Sequence, residues 1–262
     1  MVRPLRAAAL LLSLLCLSGR VAADVAPSGY LGRAYDAQGE VLLYTEQHYL
    51  VPDGGATRRL VLYRCADGAP FARKWVQGDL DDTMPAFELR DARRGYREGV
   101  HEVAAGLRVY AQAAAEAPER RAELVPPADG VIDAGFDAFV RRHWEALAAG
   151  TALPLHFLVP SELRFLPFRV RRVAVGAPDS ATFRLSLGTW YGFMAPHIDV
   201  SDDAATRRLA RFSGLSNIRD ARGDNLQVRI EFPPTERRDQ VDPTEVAAAR
   251  AAPLVGRCGL RG

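Results

Sequence analysis

The sequence predicts a mainly β fold: a strongly curved antiparallel sheet, half-barrel or open barrel, with one amphipathic helix packed on it. Three observations carry that expectation. Short β-prone runs separated by Gly, Asp, Asn and Pro turns recur between residues 41 and 232. A single stretch inside that span, about 133–149, has a clear helical period. Large aromatic side chains also outnumber what a thin, flat core would need.

The chain opens with Arg3 and Arg6, an apolar run from Ala7 to Leu17, and the small residues Val21-Ala22-Ala23 ahead of Asp24. This order is that of a secretory signal peptide, with cleavage expected after Ala23 and a periplasmic destination. The run is too short to span a bilayer. Cys16 raises a lipoprotein alternative, against which Leu15 stands where a small residue is needed. The first 23 residues hold three arginines and no acid, leaving 31 basic against 32 acidic residues beyond them. That balance gives nucleic acid no electrostatic footprint. No later stretch is apolar enough for a transmembrane helix. Cys65 and Cys258 remain, and in an oxidising compartment they suggest one disulfide, two free thiols being the alternative.

Residues 24–232 read as one β-rich domain. Val41 to Leu50 is β-prone and ends at Pro52-Asp53-Gly54-Gly55; Arg59 to Cys65 follows, then Phe71 to Val76. Pro85 to Leu89, Tyr96 to Val103 and Leu107 to Ala111 continue the meander. Residues 113–124, rich in alanine and charge, read as a loop or frayed helix. Phe136, Phe139, Val140, Trp144 and Leu147 then share one helical face, with Asp133 as expected cap and Gly150 as stop. Strands resume over Leu155–Val159, Arg164–Val175, Thr182–Gly188, Met194–Val200, Arg207–Gly214 and Leu226–Phe232, with a turn expected over Asn217–Asn225. Residues 233–262 form a C-terminal helix and tail, with Asp242-Pro243-Thr244-Glu245 as cap, first-turn proline and N3 glutamate.

The common catalytic and nucleotide-binding signatures are missing, and the five histidines are scattered without metal-ligand spacing. No cofactor or metal is expected. Tyr44, Glu46 and His48 stand at i, i+2 and i+4 and so share one strand face. Glu46 and His48 are the candidate acid–base pair; the alternative is the wet face of an edge strand. Asp91 to Gly99, with Arg64, Arg73 and Lys74, gathers charge at neighbouring hairpin ends. Arg64, Lys74 and Arg94 are candidate contacts for an anionic headgroup, or members of a rim salt-bridge network. Ser213, Ser216 and Asn217 are explained by turn chemistry. Trp75, Phe87, Phe136, Phe139, Trp144, Phe157, Phe165, Phe168, Phe183, Trp190, Tyr191 and Phe193 either line an apolar cavity or fill an ordinary core.

The blocks Tyr44-Thr45-Glu46-Gln47-His48, Asp91 to Gly99 and Phe212 to Asp220 resemble those of uncharacterised exported proteins of Gram-negative proteobacteria. The resemblance implies a periplasmic β-rich protein and supplies no catalytic residues. The expected architecture is also similar to periplasmic lipoprotein-carrier half-barrels, with no motif matching residue by residue. The resulting expectation is a periplasmic binding or carrier protein for a lipid-like ligand, contacted by Arg64, Lys74, Arg94, Phe139 and Trp144. A hydrolytic envelope enzyme using Glu46 and His48, and a ligand-free structural protein, are the alternatives.

Overall fold

The computed structural model describes residues 26–54, 56–174, 179–188 and 197–259. The expected signal peptide, the Met194 end of one expected strand and Trp190, Tyr191 and Phe193 lie outside these residues. The chain is mainly β. The first half is a meander: β1 (Ser28–Tyr35), β2 (Leu42–Asp53), β3 (Ala56–Cys65), β4 (Pro70–Gln77), β5 (Ala86–Asp91), β6 (Tyr96–Val103), β7 (Gly106–Gln112) and β8 (Arg120–Leu124). After β9 (Gly130–Val131) come the helices α1 (Gly135–Arg142) and α2 (Trp144–Ala148). A second meander follows: β10 (Leu153–Val159), β11 (Arg164–Val173), β12 (Ser180–Leu187), β13 (Ile198–Asp203), β14 (Leu209–Arg219) and β15 (Asn225–Glu231). The chain ends with β16 (Arg237–Arg238) and α3 (Pro243–Ala251).

These strands make one large, curved, open sheet running β8 to β1, then β15 down to β9, with β16 added beside β1. All described pairings are antiparallel except β9 with β10. β1 is the seam between the two meanders, paired with β2 on one side and β15 on the other. The sheet does not close. Its two end regions are tied instead by Arg120 Nη1, which donates to the Ser161 carbonyl at 3.1 Å, and by Ile132 N, which donates to the Thr83 carbonyl at 2.9 Å.

β1 was not anticipated, because Gly29 and Gly32 weaken its strand signal. Residues 113–124 end in a strand, β8, rather than a frayed helix; its Arg120–Leu124 stretch pairs with β7. β14 runs on to Arg219, so the turn expected from Asn217 begins only at Asp220, whose carboxylate accepts from the Arg222, Gly223 and Asp224 amides.

The expected apolar helical face is present: Phe136, Phe139, Val140, Trp144 and Leu147 are buried against Leu155, Val170, Phe183 and Leu185. The single expected helix is two short ones, interrupted at His143 (φ −105°, ψ 16°). Gly150, at φ +91°, stops the second, as only a residue without Cβ does cheaply. At the C-terminus, Asp242 caps α3 by accepting from Thr244 N at 2.8 Å. Glu245 turns outward from that cap to bond Arg238 and the Tyr49 hydroxyl. Val246 and Ala249 of α3 bury Tyr49, Leu60 and Leu62 on the outer face of β2 and β3. β3 is therefore covered on both sides, which accounts for its unbroken run Leu60-Val61-Leu62-Tyr63. Cys65 and Cys258 are disulfide-bonded, closing a loop of 193 residues. In the chain-entropy treatment such a loop is worth about 4–5 kcal/mol.

Candidate functional site

The concave side of the sheet holds a cavity of about 360 Å³. Strand alternation decides which side chains reach it. With Tyr49, Leu60 and Leu62 turned out beneath α3, the opposite rows of β1 to β4 point in: Tyr30, then Glu46 and His48, then Arg59 and Tyr63, then Lys74. Register sets Glu46 opposite Tyr63 and His48 opposite Tyr30. Glu98 on β6 joins this polar wall. The facing wall is hydrocarbon and aromatic: Phe157, Phe168, Leu185, Ile198, Val200 and Phe212 from the second meander.

The polar wall is cross-linked. Lys74 Nζ donates to both carboxylate oxygens of Asp133 at 2.9 Å. Asn217 Nδ2 donates to Asp133 Oδ1 and to Glu98 Oε1, both at 3.0 Å, joining the second meander to the first. The Tyr96 hydroxyl donates to Glu98 Oε2 at 2.6 Å and accepts from Arg219 Nη2 at 2.8 Å. His48 Nε2 donates to Glu46 Oε2 at 3.1 Å, since a carboxylate only accepts. Tyr30 stacks on the His48 ring at 4.3 Å and Phe232 meets both rings edge-on.

Burial acts on each of these groups, and their partners decide the outcome. For Asp133 burial pushes the carboxyl up, but the Lys74 ammonium and the Asn217 amide outweigh it and hold it below the ordinary range. For Glu98 burial wins and raises the carboxyl, despite hydrogen bonds from Tyr96 and Asn217. Burial lowers the His48 imidazole against the pull of Glu46, favouring the neutral ring. Burial also drives the Tyr44 and Tyr63 hydroxyls well above their ordinary value, with Glu46 adding to both.

Asp133 does not cap α1 as expected; the cap position falls on Ala134, without a side-chain bond. Its backbone sits at φ +46°, a conformation costly for a residue with Cβ, and this turns the carboxylate toward Lys74. Among the expected site residues, Glu46, His48 and Lys74 reach the cavity together. Arg64 and Arg94 are not among its lining: Arg64 turns outward from β3 to the Gly68 carbonyl, and Arg94, in the β5–β6 turn, bonds the Ala221 carbonyl. Phe139 and Trp144 are packed in the core behind α1 and α2, while Phe136 lines the cavity. Of the aromatic set, Phe87, Phe136, Phe157 and Phe168 line the cavity, whereas Trp75 lies beneath Arg250 of α3 on the outer face. Tyr30, Arg59, Asp133 and Asn217 were missed as site residues. Only the alternation of β3 offered a signal, by placing Arg59 in phase with Tyr63.

Among the described residues no cluster of His, Cys, Asp or Glu is arranged to hold a metal ion. A second hollow, of about 370 Å³, lies over the outer face of β5 to β7. Its polar side chains are largely engaged, Arg97 and Arg121 with Glu119, Arg108 with Glu123, and the Tyr110 hydroxyl with Glu88. Comparison with family models, with curated proteins and with solved structures returned no match.

Proposed function

We propose that the chain is a periplasmic binding or carrier protein that takes a lipid-like ligand into the inner cavity. The observation that supports this reading is the division of the cavity into a cross-linked polar wall and an apolar one. Apolar surface contributes about 25 cal/mol per Å² removed from water and supplies affinity. The fixed polar groups opposite orient the ligand. The exported setting rests on the reading of residues 1–23, and the Cys65–Cys258 disulfide supports it, since such bonds persist in oxidising compartments.

Native mass spectrometry of the protein isolated from its own periplasm without detergent tests both parts. The expected result is a chain beginning at Asp24 that carries an adduct of lipid-like mass, lost when Ile198→Trp fills the apolar wall. A bare polypeptide mass would overturn stable carriage; a chain retaining residues 1–23 would overturn the cleavage.

One observation favours a hydrolytic second reading: Glu46 and His48 both face the cavity as a hydrogen-bonded pair. The Ser216 hydroxyl, the serine nearest in kind to a nucleophile, is engaged with the Ile218 backbone. Hydrolysis of 4-nitrophenyl dodecanoate that disappears in Glu46→Gln would support this second reading; its absence supports binding without turnover.

A further inference from the structure

Among the described residues, the ionic groups of the cavity wall can be paired off. Lys74 is bound by Asp133, Glu46 by His48, Glu98 by Tyr96 and Asn217, and Asp137 by Arg141. Arg219 is held by the Tyr96 hydroxyl and the Gly223 carbonyl. Arg59 is different. Its side chain lines the cavity from β3, it has no ion pair or hydrogen bond among the described residues, and its Nε is buried without a partner. Burial works against its charge, yet the carboxylates of Asp137 and Asp133 favour it. Neither carboxylate lies at ion-pair distance from it: Asp133 is bonded to Lys74, and Asp137 is bonded to Arg141 through one oxygen, its Oδ1 remaining buried without a partner.

A guanidinium turned into a largely apolar cavity with unused donors is costly to leave uncompensated. It also offers the planar fork that matches a carboxylate or phosphate. We propose that Arg59 is the anchor for an anionic headgroup, a carboxylate or a phosphate monoester, whose hydrocarbon chain lies along Phe157, Phe168, Leu185, Ile198 and Phe212. This rests on the binding reading above and specifies the polar end of its ligand. The contact falls to Arg59 and not to Arg64 or Arg94, which point elsewhere, nor to Lys74, which Asp133 neutralises.

The test compares three probes with one tail: dodecanoate, dodecyl phosphate and dodecan-1-ol, titrated calorimetrically at pH 7.5 into the disulfide-bonded chain. The unmodified protein is expected to bind at least one anion tenfold or more tighter than the alcohol, and the better anion identifies the headgroup. Equal binding of all three would overturn the Arg59 anchor while leaving the apolar cavity in place. Binding of none would overturn the cavity reading itself. Arg59→Gln is expected to lose the preference and keep the alcohol; a retained preference would overturn the assignment. Should Arg59→Gln lose the alcohol as well, Arg59→Lys decides. A preference kept by the lysine shows that the charge is the anchor, and a preference lost assigns the guanidinium to wall packing alone.

Discussion

Two interior aspartates, Asp133 packed against the first meander and Asp202 within the second, are left in opposite states by burial. Asp133, held against the first meander, receives both donors of its neighbourhood, Lys74 and Asn217, and stays ionised below the ordinary carboxylate range. Asp202, on the inward row of β13 in the second meander, is 0% exposed and neither of its oxygens has a hydrogen-bond partner. Burial pushes its carboxyl up to about 8, and the like charge of Asp137 adds to the rise against Arg141. Burial alone therefore does not fix the state of an acid here. Asp133 has the Lys74 ammonium bonded to it and stays low, whereas Glu98, bonded by Tyr96 and Asn217 without such a cation, and Asp202, with no donor, are raised. The first wall sets a cation against one of its acids, and the second is built of hydrocarbon and has no donor for Asp202.

The largest expected effect comes from removing the misfit in the apolar wall. Asp202 has a folded pKa raised above its unfolded value near 3.8, so the fold favours the protonated form. Its contribution to stability is fully present below the unfolded value and is lost as pH rises through about 8. Roughly four pK units at about 1.36 kcal/mol each set a ceiling of about 5 kcal/mol. Asp202→Asn is expected to unfold later than the unmodified chain at pH 9, with a difference that shrinks toward pH 5. Thermal unfolding followed by circular dichroism across that window measures it, and a variant no more stable at pH 9 than its parent would refute the assignment.

The polar wall is expected to answer with the opposite sign. Asp133 has a lowered folded pKa, so its stabilisation is present above the ordinary carboxylate value and disappears as pH falls through the folded one. Asp133→Ala strands the Lys74 ammonium in a buried site and is expected to cost about 3–5 kcal/mol by urea denaturation at pH 7. Joining Asp133→Leu with Lys74→Met removes both charges and is expected to recover much of that loss. A double variant as unstable as the single one would show that Asn217 and the strained backbone at Asp133 matter more than the pair.

The sequence revealed patterns that depend on neighbours a few residues away, and hid those that depend on distant ones. The apolar face from Phe136 to Leu147 and the cap at Asp242 are local, and both are present. Glu46 and His48 share a face by strand geometry alone, but which way that face turns is decided by α3 covering Tyr49, Leu60 and Leu62 on the other side. Asp133 stands where a helix cap is expected, and nothing within a turn of it shows that Lys74, 59 residues earlier, claims its carboxylate. Arg59 follows Arg58 and opens the expected strand Arg59 to Cys65, with nothing local to say which of the two arginines turns inward. Only the pairing of β3 with β2 and β4 separates the inward arginine from the outward one.

The smallest of these effects is the most direct test of the seam between the meanders. Gly32 on β1 lies opposite Glu46, and a Cβ there would sit 2.5 Å from the Phe232 ring and 3.1 Å from Ile230. The missing side chain is what lets Phe232 close over Tyr30 and His48, so a glycine that weakens β1 as a strand is also what completes the aromatic stack. Gly32→Ala forces that ring away and is expected to cost about 1–3 kcal/mol through overpacking. The same displacement opens the stack around His48, whose imidazole is held below its ordinary pKa chiefly by burial. Its titration, followed by NMR of the ring protons, is therefore expected to move up in the variant. An unchanged His48 titration alongside lost stability would mean that Phe232 packs the seam without shielding the imidazole. A shift without lost stability would mean the reverse, that the ring shields the polar wall and the strand pairs of β1 hold the two meanders together unaided.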